Sequence, residues 1–361
     1  MNILDEKEIN FMEWGIINEY NFSDKKIYEI PVKVFDEIHT YNLVGKYSLI
    51  SPVRRKRYNG IKDFSSKFNG EDYDIFISID GKPYHDPLST LPKKEKLDNS
   101  KVITFINRFP PMVRIISKDI EKWVRKKLKR MFDNYEIAYG ICTVTCPKRI
   151  VKDIVEMNVD ELTLMLYDMK NTIDVCKKKA KEVEKKVSIY PFFNIGKKAG
   201  ASIEHLHSQI YFDLSEYGNG IYFDNLFKSF KKECPLCKKL KNIVYENKDF
   251  IVYVPKAMMR DTHLRVVPKK HIEGFEYLSE DEIKNLADSL LKTTTAIYKA
   301  YDIVEKNILF ITKPDFYKGN FHFFIDILPA EFNGGMEKIE VMNISTTNVK
   351  EFVKNIRNKT N

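Results

Sequence analysis

The chain has 361 residues, 43% of them hydrophobic and 31% charged, a globular balance with room for two or three domains. No run approaches ~18 consecutive apolar residues, so a membrane-spanning helix is not expected, and MNILDEKEINF lacks the basic-then-apolar order of a secretory signal. The net charge of +9 comes from 60 Lys+Arg against 51 Asp+Glu, and both signs run along the whole chain, so a mild anion preference is expected and a nucleic-acid partner is not.

In chain order, residues 1–45 form an extension of unassigned role, with a strand and a helix that lean on the core as one expectation. SPVRRKRY follows at Ser51–Tyr58, then GEDYDIFISIDGKPYHDP, which suggests a hairpin and a loop. VITFINRFPPM from Val102 is β-rich. YGICTVTCPKRI predicts a strand that stops at Pro-Lys, and MNVDELTLMLYDM predicts a helix capped by Asn158. A strand, a glycine-bearing loop and a final alternating strand make up VSIYPFFNIGKKAGASIEHLHSQIYFDL. Ser215 to Glu233 is the expected crossover.

The order then repeats. NIVYENKDFIVYVPKAMM matches the first β-rich run, HLRVVPKKHI the Pro-Lys strand, and LSEDEIKNLADSL a helix capped by Ser279. NILFITKPDFYKGNFHFFIDILP matches the last two strands. Pro147 to Met157 and Pro268 to Leu278 are both ten residues apart. A diverged duplication is therefore expected: an α+β fold of two repeats, each with antiparallel strands and one long helix. The first repeat spans 46–225 and the second 226–361. His205 falls opposite His322, His207 opposite Phe324, and Gln209 opposite Asp326.

The chemistry centres on FFNIGKKAGASIEHLHSQIYF. In a strand, His205, His207 and Gln209 share one face. Before them lies a loop with Asn194, Gly196, Gly200 and Ser202, whose glycines allow a phosphate to approach backbone N–H groups. A neutral imidazole attacks phosphorus near pH 7, and a glutamine N–H stabilises charge on a non-bridging oxygen. His207 is the expected nucleophile.

This segment resembles the active-site strand of galactose-1-phosphate uridylyltransferases and their relatives in the histidine-triad superfamily. That pattern runs from a Gly-rich loop through Ser to His-Pro-His-(Gly/Ser)-Gln. Here it reads Ser202, then His205-Leu206-His207-Ser208-Gln209, with Leu206 in place of the usual Pro. The resemblance implies that His207 carries a nucleotidyl group, that Gln209 and Ser202 contact phosphate, and that His205 steadies the loop. SPVRRKRY resembles the family's early arginine element and assigns phosphate contacts to Arg54 and Arg57. FINRFP resembles its base and ribose element and points to Asn107. The implied substrates are a nucleotide sugar or dinucleotide with a sugar phosphate or phosphate as second partner. Two paired chains are implied as well. Transfer to a hexose 1-phosphate and phosphorolysis both stay open, because Asn333–Glu340 matches the hexose-phosphate element poorly. A third alternative is an RNA-end or nucleotide binder without transfer activity.

Five cysteines in a chain of this size suggest a reducing cytoplasm. Cys234-Pro-Leu-Cys237 is a metal-type CxxC, a pair of buried thiols or a redox pair. His271 and His322 stand where they complete a Cys2His2 set, which resembles the zinc site of some histidine-triad proteins, so one structural zinc per chain is expected. The first repeat has Arg149 and Ile150 where an imidazole is wanted. His39, His85, Cys142 and Cys146 are the groups from which it could rebuild a site.

Overall fold

The computed structural model describes residues 30–35, 47–51, 67–68, 71–72, 78–79, 82–83, 101–107, 111–113, 118–182, 184–214, 220–230, 233–330 and 344–360. The expected α+β class holds: a nine-stranded antiparallel sheet carries two long helices.

Strands β1 (Val32–Phe35) and β2 (Tyr47–Ile50) pair with β8 (Tyr135–Ile137) in a small separate sheet. Two-residue ladders join β3 (Lys67–Phe68) to β4 (Glu71–Asp72) and β5 (Ser78–Ile79) to β6 (Lys82–Pro83). Helix α1 (Lys118–Leu128) packs Val124 and Leu128 onto Val32 and Ile137 of the small sheet. The buried Lys33 ammonium of β1 binds the Asp213 carboxylate at 2.5 Å, which ties this sheet to the large one.

The large sheet contains both repeats. From the first come β7 (Val102–Ile106), β9 (Gly140–Pro147), β10 (Ser188–Ile195) and β11 (Ser208–Asp213). The second supplies β12 (Ile243–Glu246), β13 (Phe250–Tyr253), β14 (Leu264–Pro268), β15 (Lys306–Ile311) and β16 (Phe324–Pro329). The spatial order is β12-β13-β14-β16-β15-β10-β11-β9-β7. Each repeat runs in the same internal order outward from the centre, and β10 meets β15 there, with Phe193 opposite Ile308 and Asn194 opposite Asn307.

Helices α2 (Val159–Glu182) and α4 (Glu280–Tyr301) occupy equivalent places. Asn158 accepts the Glu161 N–H at 2.9 Å while Glu161 accepts the Asn158 N–H at 3.1 Å. Ser279 and Glu282 form the same reciprocal cap, so each helix starts where the sequence places it. Alternation along the strands sends Phe193, Ile210 and Phe212, with Phe310, Ile325 and Ile327, toward the helices. Helix α5 (Val349–Thr360) joins that core through Phe352 and Ile356. The opposite face bears His207, Gln209 and Tyr211 in the first repeat. In the second it bears Phe324 and a smaller aromatic cluster under α3 (Gly220–Lys228).

Among the ion pairs of the described residues that cross between the repeats, one buried and one half-buried pair run in reciprocal directions. Lys306 of the second binds Asp153 of the first at 2.6 Å. Lys177 of the first binds Glu276 of the second at 2.7 Å. Unpaired charges at such depth cost several kcal/mol, so these contacts fix how the halves meet.

Candidate active site and metal centre

At Ile195 strand β10 gives way to a tight loop. Gly196 (φ +83°) and Gly200 (φ +88°) take left-handed backbone, which glycine adopts without the penalty of a side chain. At Gly196 a Cβ would run into the Glu305 side chain. The Gly200 N–H donates to the Lys197 carbonyl at 3.0 Å and the Ala201 N–H to the Gly196 carbonyl at 3.1 Å.

The route from this loop to β11 differs from the expected continuous strand. Ser202 to His205 are bends, and the ladder with β9 begins only at Ser208, opposite Thr145. Instead of continuing that ladder, the Leu206 N–H turns to the Val151 carbonyl at 2.6 Å. The His207 Nδ1 lies 2.8 Å from the His205 carbonyl oxygen. A carbonyl can only accept, so Nδ1 carries the proton and Nε2 keeps its lone pair. The Gln209 amide donates toward that Nε2 at 3.4 Å, and Asn107 Nδ2 donates to Gln209 Oε1 at 3.4 Å. Asn107 is itself held by its backbone N–H on the Cys142 carbonyl at 2.7 Å.

The structure thus brings His207, Gln209 and Asn107 together, residues separated by 102 positions at the widest. His205 contributes a backbone carbonyl to the group, and both histidines stand just before β11 rather than within it as expected. The Ser202 hydroxyl is buried with no hydrogen-bond partner among the described residues, so no bond joins it to His207. The Asn194 carboxamide oxygen accepts from Asn307 at 2.8 Å. Arg54, Arg57, His39, His85 and Asn333–Glu340 lie outside the described residues.

The matching place in the second repeat is filled. Gln209 pairs with Val144 across the first repeat's sheet, and in the second Asp326 pairs with Arg265. Arg265 binds Asp326 in a bidentate fork at 2.6 and 2.8 Å and lies 4.2 Å over the Phe324 ring. His263 Nδ1 accepts the Met259 N–H at 3.3 Å, and its Nε2 lies 2.9 Å from the Asp326 carboxylate without the alignment of a hydrogen bond. Burial works to raise the Asp326 carboxyl, but Arg265 and His263 beside it hold it down to about 2. The imidazole of His207 in one repeat is answered by an ion cluster in the other. Sequence alignment of the repeats places Phe324 and Asp326 but not the roles of Arg265 and His263. Their signal was an Arg and a His alternating along a strand otherwise apolar.

Cys234, Cys237, His271 and His322 converge, with all four ligand atoms within 4.8 Å of one another. Cys234 Sγ is 3.3 Å and Cys237 Sγ 3.4 Å from His322 Nδ1, and Cys237 Sγ is 3.2 Å from His271 Nδ1. Ligands at ~2.3 Å (S) and ~2.0 Å (N) around a tetrahedral ion stand about 3.5 Å apart, so the set fits a small divalent cation. His322 Nε2–H donates to the Pro268 carbonyl at 3.1 Å, which turns the Nδ1 lone pair toward the thiols. Burial and then His271 lower the His322 imidazole to about 4, so it stays neutral. Burial and then Cys234 push the Cys237 thiol up to about 11, where a cation would be needed to draw off its proton. In the first repeat, Arg149 instead forks onto Glu161 at 3.2 and 3.0 Å, and Ile150 is exposed.

No family model matches the chain. The galactose-1-phosphate uridylyltransferase of Thermotoga maritima is 27% identical over 256 residues, which cover 64% of this chain and 73% of that protein. A solved uridylyltransferase mutant covers 92% of this chain and 99% of its own, with a TM-score of 0.66 at 17% identity. The ADP-glucose phosphorylase of Arabidopsis thaliana, solved with bound ADP-glucose, covers 91% and 98%, with a TM-score of 0.60 at 20% identity. Fold and site together define a protein of two fused copies of one α+β unit, joined in a single antiparallel sheet. In sequence the chain is similar to a galactose-1-phosphate uridylyltransferase, and in fold to solved uridylyltransferases. Among the described residues, no helix is long and apolar enough to cross a membrane.

Proposed function

We propose that the protein is a nucleotidyltransferase that works through a nucleotidyl-histidine on His207. One observation carries the reading: the Nδ1–H of His207 is committed to the His205 carbonyl, so the Nε2 lone pair faces the Gln209 amide with Asn107 behind it. The lone pair forms a bond to the α-phosphorus of a nucleotide sugar, and the bond to the sugar-phosphate oxygen breaks. That oxygen leaves with the electron pair as a sugar 1-phosphate. Positive charge spreads over the ring, and the His205 carbonyl stabilises it through Nδ1–H. Gln209 swings its N–H from Nε2 to a non-bridging oxygen. An oxygen of a second phosphate then attacks the same phosphorus, and His207 returns as a neutral ring. By kinship the donor is UDP-glucose, with hexose 1-phosphate as acceptor. The phosphorylase alternative uses inorganic phosphate as acceptor.

The test is to incubate the protein with UDP-glucose or ADP-glucose carrying ³²P at the α-phosphate. Base-stable, acid-labile label on the protein is expected from one of them. Chasing with galactose 1-phosphate or inorganic phosphate then separates transferase from phosphorylase. If neither donor leaves label, the transfer reading falls.

We also propose that Cys234, Cys237, His271 and His322 hold one zinc ion per chain. Four protein ligands would leave no open position, so the ion would be structural and would join the CxxC turn, the loop after β14 and the approach to β16. The repeats thus divide their labour, 46–225 keeping the nucleophile and 226–361 the metal. Elemental analysis is expected to give about one zinc per chain, and Cys234→Ser to lose it together with much of the thermal stability. Metal-free protein with an unchanged melting temperature would remove this assignment.

A further inference from the structure

We infer that Glu305, Lys306 and Asn307, three consecutive residues of the non-reacting repeat, are positioning residues for the transfer site; this rests on the reading of His207 as nucleophile. They stand at the central β10–β15 seam, where Asn194 pairs with Asn307 and Ile195 with Lys306. Each holds a different piece of the first repeat. Asn307 Nδ2 donates both to Asn194 Oδ1 and to the Ala199 carbonyl, each at 2.8 Å, and so ties the start of the glycine loop to its far side. Glu305 accepts the Lys198 backbone N–H at 2.9 Å and packs against the bare Cα of Gly196. The buried Lys306 ammonium binds Asp153 at 2.6 Å. Asp153 follows closely on Val151, whose carbonyl receives the Leu206 N–H between the two histidines.

A loop with two left-handed glycines has much conformational freedom to lose. Left to itself it would hold a bound phosphate in many arrangements, most of them off the line of attack. The three contacts remove that freedom in advance, from a rigid strand edge. They set the distance between the loop that is to hold phosphate and the ring that is to attack it, a geometry in which ~1 Å of error costs about 100-fold in rate. This supplies a reason for the second repeat to keep its strand seam after losing a nucleophile of its own.

The test compares the wild-type protein with Asn307→Ala and with Asn307→Asp, which keeps the shape but sets an acceptor oxygen where the one amide nitrogen gave both bonds. Ile308→Val serves as comparator, since it thins the core beside Asn307 without touching the loop. Hydrogen exchange is followed on peptides covering 194–207. The rate of His207 labelling is measured with whichever of UDP-glucose and ADP-glucose the wild type accepts. Both Asn307 variants are expected to exchange these amides at least ~10-fold faster and to label about 10- to 100-fold more slowly. KM should move less than about threefold. Ile308→Val should lower the melting temperature while leaving exchange in 194–207 and labelling near wild type. The inference is overturned if the Asn307 variants exchange like wild type, or if rates in all three variants merely follow their melting temperatures. Wild-type protein that takes no label would sink the transfer reading alone, and the exchange result would still decide whether the seam orders the loop.

Discussion

His207→Ala is expected to take no label from any nucleotide sugar and to lose turnover by on the order of 10⁶-fold, the scale seen when a covalent nucleophile is removed. The size follows from the chemistry: no other described side chain in the group offers a lone pair of comparable basicity. Gln209 and Asn107 are amides that donate or accept weakly, and the His205 contribution is a peptide carbonyl. Gln209→Ala should behave differently. It removes a donor from the developing charge but leaves the nucleophile, so label should form about 100- to 1,000-fold more slowly and still reach full extent. Asn107→Ala frees the far end of the glutamine and should slow labelling less than Gln209→Ala does. Rapid-quench measurement of label against time reads all three. Full labelling of His207→Ala would move the nucleophile elsewhere in the chain.

That order of effects was legible in the sequence in part only. His207 and Gln209 stand two apart after a glycine loop, a spacing that announces itself. The helix caps at Asn158 and Ser279 and the paired Pro-Lys turns do the same, because each is a local rule satisfied within a few residues. The metal set was legible because CxxC has one obvious partner type, and the repeat showed which histidines lie near it. What escaped was whatever depends on two distant segments meeting. Asn307 pairs with Asn194 across 113 positions, and Lys33 binds Asp213 across 180. No periodicity marks such partners, since their energy comes from a single contact made after the sheet has formed. The bend at Ser202–His205 escaped for the opposite reason. Alternation extends through it, yet the Leu206 N–H leaves the ladder for Val151, so the true strand starts three residues later than His205.

Asp326→Ala is expected to cost about 3–5 kcal/mol, the penalty for leaving a buried charge without its partner. Arg265 would lose both arms of its fork and His263 the carboxylate beside its Nε2, with the aromatic ring beside Arg265 offering no substitute. Against a typical total of ~5–15 kcal/mol this threatens the fold itself. Replacing all three polar groups together, as Asp326→Leu, Arg265→Met and His263→Leu, should be far milder, since packed apolar groups in such a place are often neutral. The ion cluster also predicts a pH response. The folded carboxyl lies near 2, below the ~3.9 of an unfolded aspartate. Its stabilisation is therefore complete above about pH 5 and fades as pH falls through 4 toward 2. Denaturant titrations of wild type and the triple variant at pH 7 and pH 3 should show the wild type losing more stability on acidification. An equal loss in both would mean that the cluster fills space without its charge mattering. A triple variant that unfolds at neutral pH would mean instead that the second repeat depends on the ion cluster it holds where the first carries His207 and Gln209.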